Sequence, residues 1–132
     1  MILKSLDDTH AFARSFLSRL KPGDILALHG ELGAGKTSFV QGLSDNPVTS
    51  PTFVYLNIYE AMPPIYHFDL YRLKGPGDFL AMGFDEYFES DGICCMEWPE
   101  RIDTLLPKKT HHIHLFHEEG NTRRVEVQYG TA

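Results

Sequence analysis

The chain has 132 residues, 42% of them apolar, which is enough for a single domain, residues 1–132, built on one core. Its 12 Lys and Arg stand against 18 Asp and Glu, a formal net charge of −6. That balance argues against a broad electrostatic grip on DNA or RNA, and no apolar run approaches the ~20 residues that cross a bilayer, so a membrane role is not expected.

Ile2 and Leu3 read as a short first strand. Asp7 and Asp8 supply a cap and first-turn acids for a helix running through Leu20. Ala11, Phe12, Phe16, Leu17 and Leu20 recur at helical spacing as its core stripe. Pro22-Gly23 ends it, and the mostly apolar run 24–29 reads as a buried strand. A glycine-rich loop and a helix of about two turns follow, the helix ending within 42–46. The stretch 47–51, with prolines at both ends, reads as an exposed connector. Aromatic-rich runs 53–59 and 65–71 flank Met62-Pro63-Pro64 and predict a strand pair. Residues 76–88 predict short helical turns broken at Gly83. The run 92–97 predicts a buried strand ending in an acid, and 111–117 and 124–129 predict two closing strands. Cys94 and Cys95 adjoin on that buried strand and point to opposite faces, so two free thiols in a reducing, cytoplasmic setting are expected. An early βα unit predicts an α/β fold: a mixed, partly parallel sheet flanked by helices.

The glycine-rich loop carries the chemistry. Gly30-Glu31-Leu32-Gly33-Ala34-Gly35-Lys36-Thr37 fits G-x-x-x-x-G-K-[ST], between a strand and a helix. Glycines let the backbone wrap a phosphate without Cβ clashes, so that successive N–H groups face the oxygens. Lys36 is the candidate to bridge the β- and γ-phosphates, and Thr37 to offer its hydroxyl to Mg²⁺. Ser38 opens a helix whose N-terminus adds partial positive charge. Glu31, Leu32, Gly33, Ala34, Gly35, Lys36, Thr37 and Ser38 are thus the nucleotide-contacting candidates.

Such a loop needs acids to complete a Mg²⁺ shell and position water, and ligands gather at the carboxyl ends of parallel strands. Glu97 follows the apolar run 93–96, and Asp69 ends 65–68. Glu97 is the preferred metal-shell residue, because its strand is the more apolar and therefore the more central. Asp69 is then the candidate for water positioning. Thr52, in Ser50-Pro51-Thr52-Phe53, sits where a connector can reach a γ-phosphate as a switch segment does. His67 reads as a core or strand-edge histidine. His111, His112, His114 and His117 read as a solvated strand face rather than a zinc site, with His112 and His114 on one side of the strand.

The phosphate loop, Ser50-Pro51-Thr52-Phe53, His67-Phe68-Asp69-Leu70-Tyr71-Arg72 and Glu97-Trp98-Pro99-Glu100 occur here in one order. In that order they resemble the bacterial tRNA threonylcarbamoyladenosine biosynthesis ATPase family, TsaE, over nearly the whole chain. The stretch between Gly42 and Ser50 is short for that family. The resemblance implies a single P-loop NTPase-like domain binding ATP and Mg²⁺. It implies a cytoplasmic ATPase that resets the TsaB–TsaD complex between turnovers of tRNA modification, touching tRNA only through that complex. It also implies Thr37 and Glu97 at the metal, Asp69 supporting water or metal, Thr52 sensing the γ-phosphate, and Trp98 beside the site. Two other classes compete. A small nucleotide kinase needs an arginine-rich lid, for which this chain has little length. A nucleotide-gated binding module with negligible turnover needs only the loop. No N-K-x-D motif marks a guanine site, which favours adenine.

Overall fold

The computed structural model describes residues 1–31, 36–42 and 55–131, the side chains of Thr37 and Gln41 excepted. Among the described residues, seven strands form one sheet in the order β1-β7-β6-β2-β5-β4-β3. These are β1 (Ile2–Leu3), β2 (Ile25–His29), β3 (Leu56–Tyr59), β4 (Ile65–Asp69), β5 (Ile93–Glu97), β6 (His111–His117) and β7 (Arg123–Gln128). The middle of the sheet is parallel: β2 pairs with β5 and β6, and β5 with β4. Both margins are antiparallel hairpin pairs, β3 on β4 and β7 on β6, with β1 added to β7. The mixed α/β sheet expected from the early βα unit is what forms.

Helix α1 (Leu6–Leu17) is set by Ser5, whose Oγ accepts from the Asp8 backbone N–H at 3.0 Å. The Lys4 backbone N–H, one residue before that cap, donates to Asp8 Oδ2 at 3.0 Å, and the two bonds set the start two residues ahead of the expected Asp7. The helix also ends at Leu17, short of Leu20, because Arg19 and Leu20 turn back onto Phe16 and Leu17 carbonyls. Thr9, Ala13 and Phe16 are its buried residues, whereas Ala11 is exposed. Phe12, Phe16, Leu17 and Leu20 of the expected stripe do pack on the core, and Ala13, one turn before Phe16, takes the inner position that Ala11 does not. Helix α2 (Lys36–Gly42) packs beside α1, with Phe39 and Phe12 rings 5.9 Å apart.

One side of the sheet buries Leu26, Leu28, Cys95, Ile113 and Leu115 against Phe16, Phe39 and Val40 of these helices. The other buries Ile25, Phe68, Cys94 and Met96 with Phe79 and Phe88 of the short helices. Adjacent Cys94 and Cys95 thus enter different clusters, and both are free. The short helical pieces are α3 (Pro76–Ala81) and a 3₁₀ helix (Phe84–Glu89), separated by Gly83 at φ 74°, where a side chain is strained. A second 3₁₀ helix, Pro99–Leu105, lies where no element was expected. Its Ile102 is fully buried although the segment is too short and polar to show a period. No helix among the described residues is long and apolar enough to cross a membrane.

Candidate nucleotide site

Strand β2 enters the phosphate loop at Gly30, and α2 leaves it at Lys36. Leu32, Gly33, Ala34 and Gly35 lie outside the described residues, as do Thr52 and the Thr37 side chain. Glu31 is exposed at the loop's entrance, and Ser38 is half-buried in the first turn of α2. Lys36 is 5% exposed. Its Nζ donates to the Gly30 carbonyl at 2.6 Å and stands 3.4 Å from the centre of the Trp98 ring. The ammonium thereby spans the loop from end to end, with a cation–π contact on its flank. Burial pushes the Lys36 ammonium down from its ordinary range, and Glu97, then Glu100 and Asp69, draw it back up.

The two predicted acids are neighbours. Asp69 and Glu97 are in register across the parallel pair β4–β5, and both strands end there. Leu28, one residue before the end of β2, is in register with Glu97 in turn. The carboxyl ends of β2, β5 and β4 therefore bring Lys36, Glu97 and Asp69 to one end of the sheet. The acids differ in setting. Asp69 is exposed, and its Oδ1 accepts from the Tyr71 N–H at 3.2 Å, a local turn that ends the strand. Glu97 is 5% exposed on a strand buried throughout. The more apolar strand is indeed the more central one.

His67, read from the sequence as a core or strand-edge histidine, is buried and also holds the acid. It is 6% exposed, and its Nε2 is 2.7 Å from Glu97 Oε2. On its other side Nδ1 is 3.0 Å from the Tyr59 hydroxyl. Burial, then Cys95 and Glu97, push the Tyr59 phenol up to about 12, so it remains an O–H donor at neutral pH. A Tyr59 hydroxyl donating to Nδ1 places the proton of a neutral imidazole on Nε2, where it is donated to Glu97. A three-residue chain across β3, β4 and β5 thus orients the acid. Alternation makes the link legible afterwards: Ile65, His67 and Asp69 share one face of β4, and Cys95 and Glu97 share the same face of β5.

Trp98 follows Glu97 with φ 61° and ψ 49°, the one non-glycine residue at positive φ among the described residues. The next residue is Pro99, which disfavours the right-handed helical region at Trp98. This backbone is strained by about 1–2 kcal/mol for a bulky residue. It turns the indole onto Lys36 and against Tyr71, whose ring centre is 4.9 Å away.

The expected solvated histidine face is also different. His29 ends β2 in register with His114 of β6, and the two rings stack at 4.4 Å and 13°. His29 Nε2 is 2.8 Å from His112 Nδ1. All three are half-buried. Burial, then His114 and His112, lower His29 to about 4, against a smaller upward pull from Asp103. His29 escaped notice in the sequence because it sits 83 residues from His112.

A central parallel strand running into a G-x-x-x-x-G-K-T loop and a helix, with acids ending the adjoining parallel strands, is the arrangement of a P-loop NTPase-like fold. Comparisons with known proteins narrow it. The family model "Threonylcarbamoyl adenosine biosynthesis protein TsaE" matches residues 3–125. A Bacillus subtilis protein named tRNA threonylcarbamoyladenosine biosynthesis protein TsaE is 39% identical over 109 residues, 78% of this chain and 68% of its own length. The Treponema pallidum protein of that name is 37% identical over 119 residues, 86% of this chain and 88% of its own. The crystal structure of Bacillus subtilis YdiB superposes with a TM-score of 0.83 at 31% identity, covering 99% of this chain and 84% of that one. The chain belongs to the TsaE family, whose role lies in biosynthesis of threonylcarbamoyladenosine in tRNA.

Proposed function

We propose that this chain binds and hydrolyses Mg-ATP, and that hydrolysis resets the TsaB–TsaD complex between rounds of tRNA modification. The observation that carries the nucleotide reading is Lys36, held at 2.6 Å from the Gly30 carbonyl with Glu97 and Asp69 near enough to bias its charge. The donor set suits the ligands. An ammonium among backbone amides of a glycine loop meets a polyphosphate, and two strand-end carboxylates beside it offer hard oxygen ligands of the kind Mg²⁺ takes. Thr37 and Glu97 would hold the ion, which when bound neutralises charge building on the phosphate oxygens.

The chain's own groups then divide the work. Lys36 offsets phosphate charge. The Tyr59–His67 pair takes Glu97 Oε2 and fixes the carboxylate, leaving its second oxygen to act as a ligand. Asp69, exposed at the adjoining strand end, is proposed to accept a hydrogen bond from an attacking water, a role that its exposure and its register with Glu97 support. Trp98 covers Lys36 and keeps bulk water from it, and the backbone strain there is consistent with a conformation selected for the site. Thr52, outside the described residues, is proposed to sense the γ-phosphate. In that role it gives ATP a contact that ADP lacks, the differential contact through which hydrolysis shifts a conformational equilibrium.

The test is calorimetric titration of Mg-ATP into the wild type and Lys36→Ala, alongside phosphate release with and without the partner complex. The variant is expected to lose at least tenfold in affinity, as for loss of a charge-assisted contact of about 1.5–3 kcal/mol. Equal affinity in both proteins would refute the assignment. Binding without turnover, partners included, would favour the nucleotide-gated module.

A further inference from the structure

The end of the sheet away from the phosphate loop carries a second set of groups. β2 and β6 start there, at Ile25 and His111, and β7 runs out there at Gln128. The segment 129–131 that follows β7 lies between two clefts of about 290 and 320 Å³ and lines both. Its backbone is pinned. The Gly130 N–H donates to His111 Nδ1 at 3.0 Å, and the Thr131 N–H donates to the Lys108 carbonyl at 2.9 Å. Gly130 lies against the Lys109 carbonyl, where no side chain would fit.

Three features of these clefts point to a ligand. The first is charge. Arg19, Lys21, Lys108 and Lys109 line them against Asp24 and Asp103, and none of the four cations has an ion-pair partner among the described residues. Asp24 is already engaged, its Oδ2 accepting from the Lys21 N–H at 2.8 Å. The second is Tyr129, which lines both clefts and is 58% exposed. Its ring lies parallel to Phe16 at 6.0 Å and 11°, with the His111 ring set across it at 78°, so a rigid aromatic platform faces solvent. The third is Thr110 in the second cleft. It is 1% exposed, and its Oγ1 has no hydrogen-bond partner among the described residues. A buried hydroxyl without a partner is costly, and it marks a group open to a donor or acceptor from outside the chain. His111, with Nδ1 taken by Gly130, holds its proton on Nε2 and adds a donor to the first cleft.

Unpaired cations on both sides of an exposed ring suit a run of phosphates whose bases stack, which is how single strands are held. An acidic peptide would engage the cations and leave the ring and the orphan hydroxyl unused. A free mononucleotide would fill one cleft, whereas Tyr129 joins two. A ribose 2′-hydroxyl both donates and accepts, so it can satisfy Thr110. The family's role in tRNA modification makes RNA the strand that such a protein meets. We infer that this end of the sheet is a local contact site for single-stranded RNA. A base stacks on Tyr129, and the flanking phosphates meet Lys21 and Lys109 on one side and Lys108 on the other. Contact with so few phosphates does not need the broad basic face that a net charge of −6 argues against. The site stands at the opposite end of β2 from Gly30 and is independent of the nucleotide reading.

The test is fluorescence anisotropy of a labelled single-stranded decauridylate titrated with the full chain at several salt concentrations, with thermal melts confirming that each variant folds. The wild type is expected to bind with a Kd of about 10⁻⁴–10⁻⁵ M near physiological salt. Tyr129→Ala is expected to weaken binding about tenfold, the usual scale for losing a base–aromatic stack. Lys21→Gln combined with Lys109→Gln is expected to flatten the logarithmic salt dependence by about 1.4, two single-strand phosphate contacts. Tyr129→Phe and Lys36→Ala are expected to bind the RNA as the wild type does. No binding by the wild type, or unchanged binding in Tyr129→Ala or in the double lysine variant, overturns the site. Loss in Lys36→Ala also overturns it, because the RNA would then lie on the phosphate loop. Displacement of the RNA by oligoglutamate of equal charge or by UMP at equal nucleotide concentration overturns it in favour of an acidic peptide or a free nucleotide. A wild type that binds the RNA with these dependences but does not bind Mg-ATP supports the site and refutes the nucleotide reading alone.

Discussion

His67→Ala isolates the device that orients Glu97. In the folded protein the Glu97 carboxylate is 5% exposed and takes its hydrogen bond from His67 at 2.7 Å. Removing the ring strands a buried charge, which typically costs about 3–5 kcal/mol, and it also deletes the partner of the Tyr59 hydroxyl. Protonation of the orphaned acid and entry of water return part of that, so a net loss of about 3 kcal/mol is expected. For a chain of this length each kcal/mol lowers Tm by about 4 °C, so the midpoint should fall by roughly 10–15 °C. His67→Gln keeps a donor and should lose only about 1 kcal/mol. The decisive comparison repeats His67→Ala in a Glu97→Leu background, where no charge remains to be stranded and the cost should shrink by at least about 1.5 kcal/mol. The assay is differential scanning calorimetry at neutral pH on all four proteins and the wild type. Equal cost in both backgrounds would mean that His67 acts by packing alone, and the orienting role would be withdrawn.

Three further outcomes follow from the same contacts. The folded-state value of about 4 for His29 lies below the ordinary 6.5, so the unfolded chain takes up that proton first as pH falls. The resulting stability is complete above about pH 6.5 and is lost toward pH 4. Because the ring is only half-buried, solvent screening reduces the effect to about 1–2 kcal/mol, and urea titrations should show a shallower pH slope in His29→Phe than in the wild type. An equal slope in the two would place the linkage elsewhere. Trp98 stands 3.4 Å from the Lys36 ammonium, so drawing that charge toward phosphate should change its emission on ATP addition. The change should vanish in Lys36→Ala, and a flat signal at independently confirmed saturation would contradict the placement of the indole. Gly42→Ala tests the contact of α1 with α2. A Cβ there meets the His10 Cα at 2.7 Å and its carbonyl oxygen at 2.9 Å, backbone atoms that cannot swing aside. A loss of about 2–3 kcal/mol in chemical denaturation is expected, and wild-type stability would mean that the helices are not so close.

The site was most legible where chemistry forces local spacing. The loop 30–37 needs its glycines and lysine contiguous, and a parallel strand carrying an acid must be an apolar run that ends in one, as 93–97 does. What escaped depends on pairing between distant segments. The Tyr59–His67–Glu97 chain requires knowing that β4 lies beside β5 in the register Asp69 to Glu97, and no local pattern carries that register. His29 joined His112 and His114 for the same reason, through the β2–β6 register. At the start of α1 the competition was local. Ser5, Asp7 and Asp8 are all good caps, and the bonds from the Asp8 N–H to Ser5 and from the Lys4 N–H to Asp8 decide for Ser5. The Pro99–Leu105 turn left no signal, because a 3₁₀ segment has too few residues to show a period.

The central claim is that nucleotide hydrolysis by this chain renews a modifying complex, and multiple-turnover tRNA modification by the TsaB–TsaD pair tests it most directly. The reactions contain ATP and either the wild type, Glu97→Gln, Lys36→Ala or no added chain. The account predicts product far in excess of complex with the wild type, and about one round per complex with either variant or with none. Sustained turnover without the chain, or with Lys36→Ala, would contradict it.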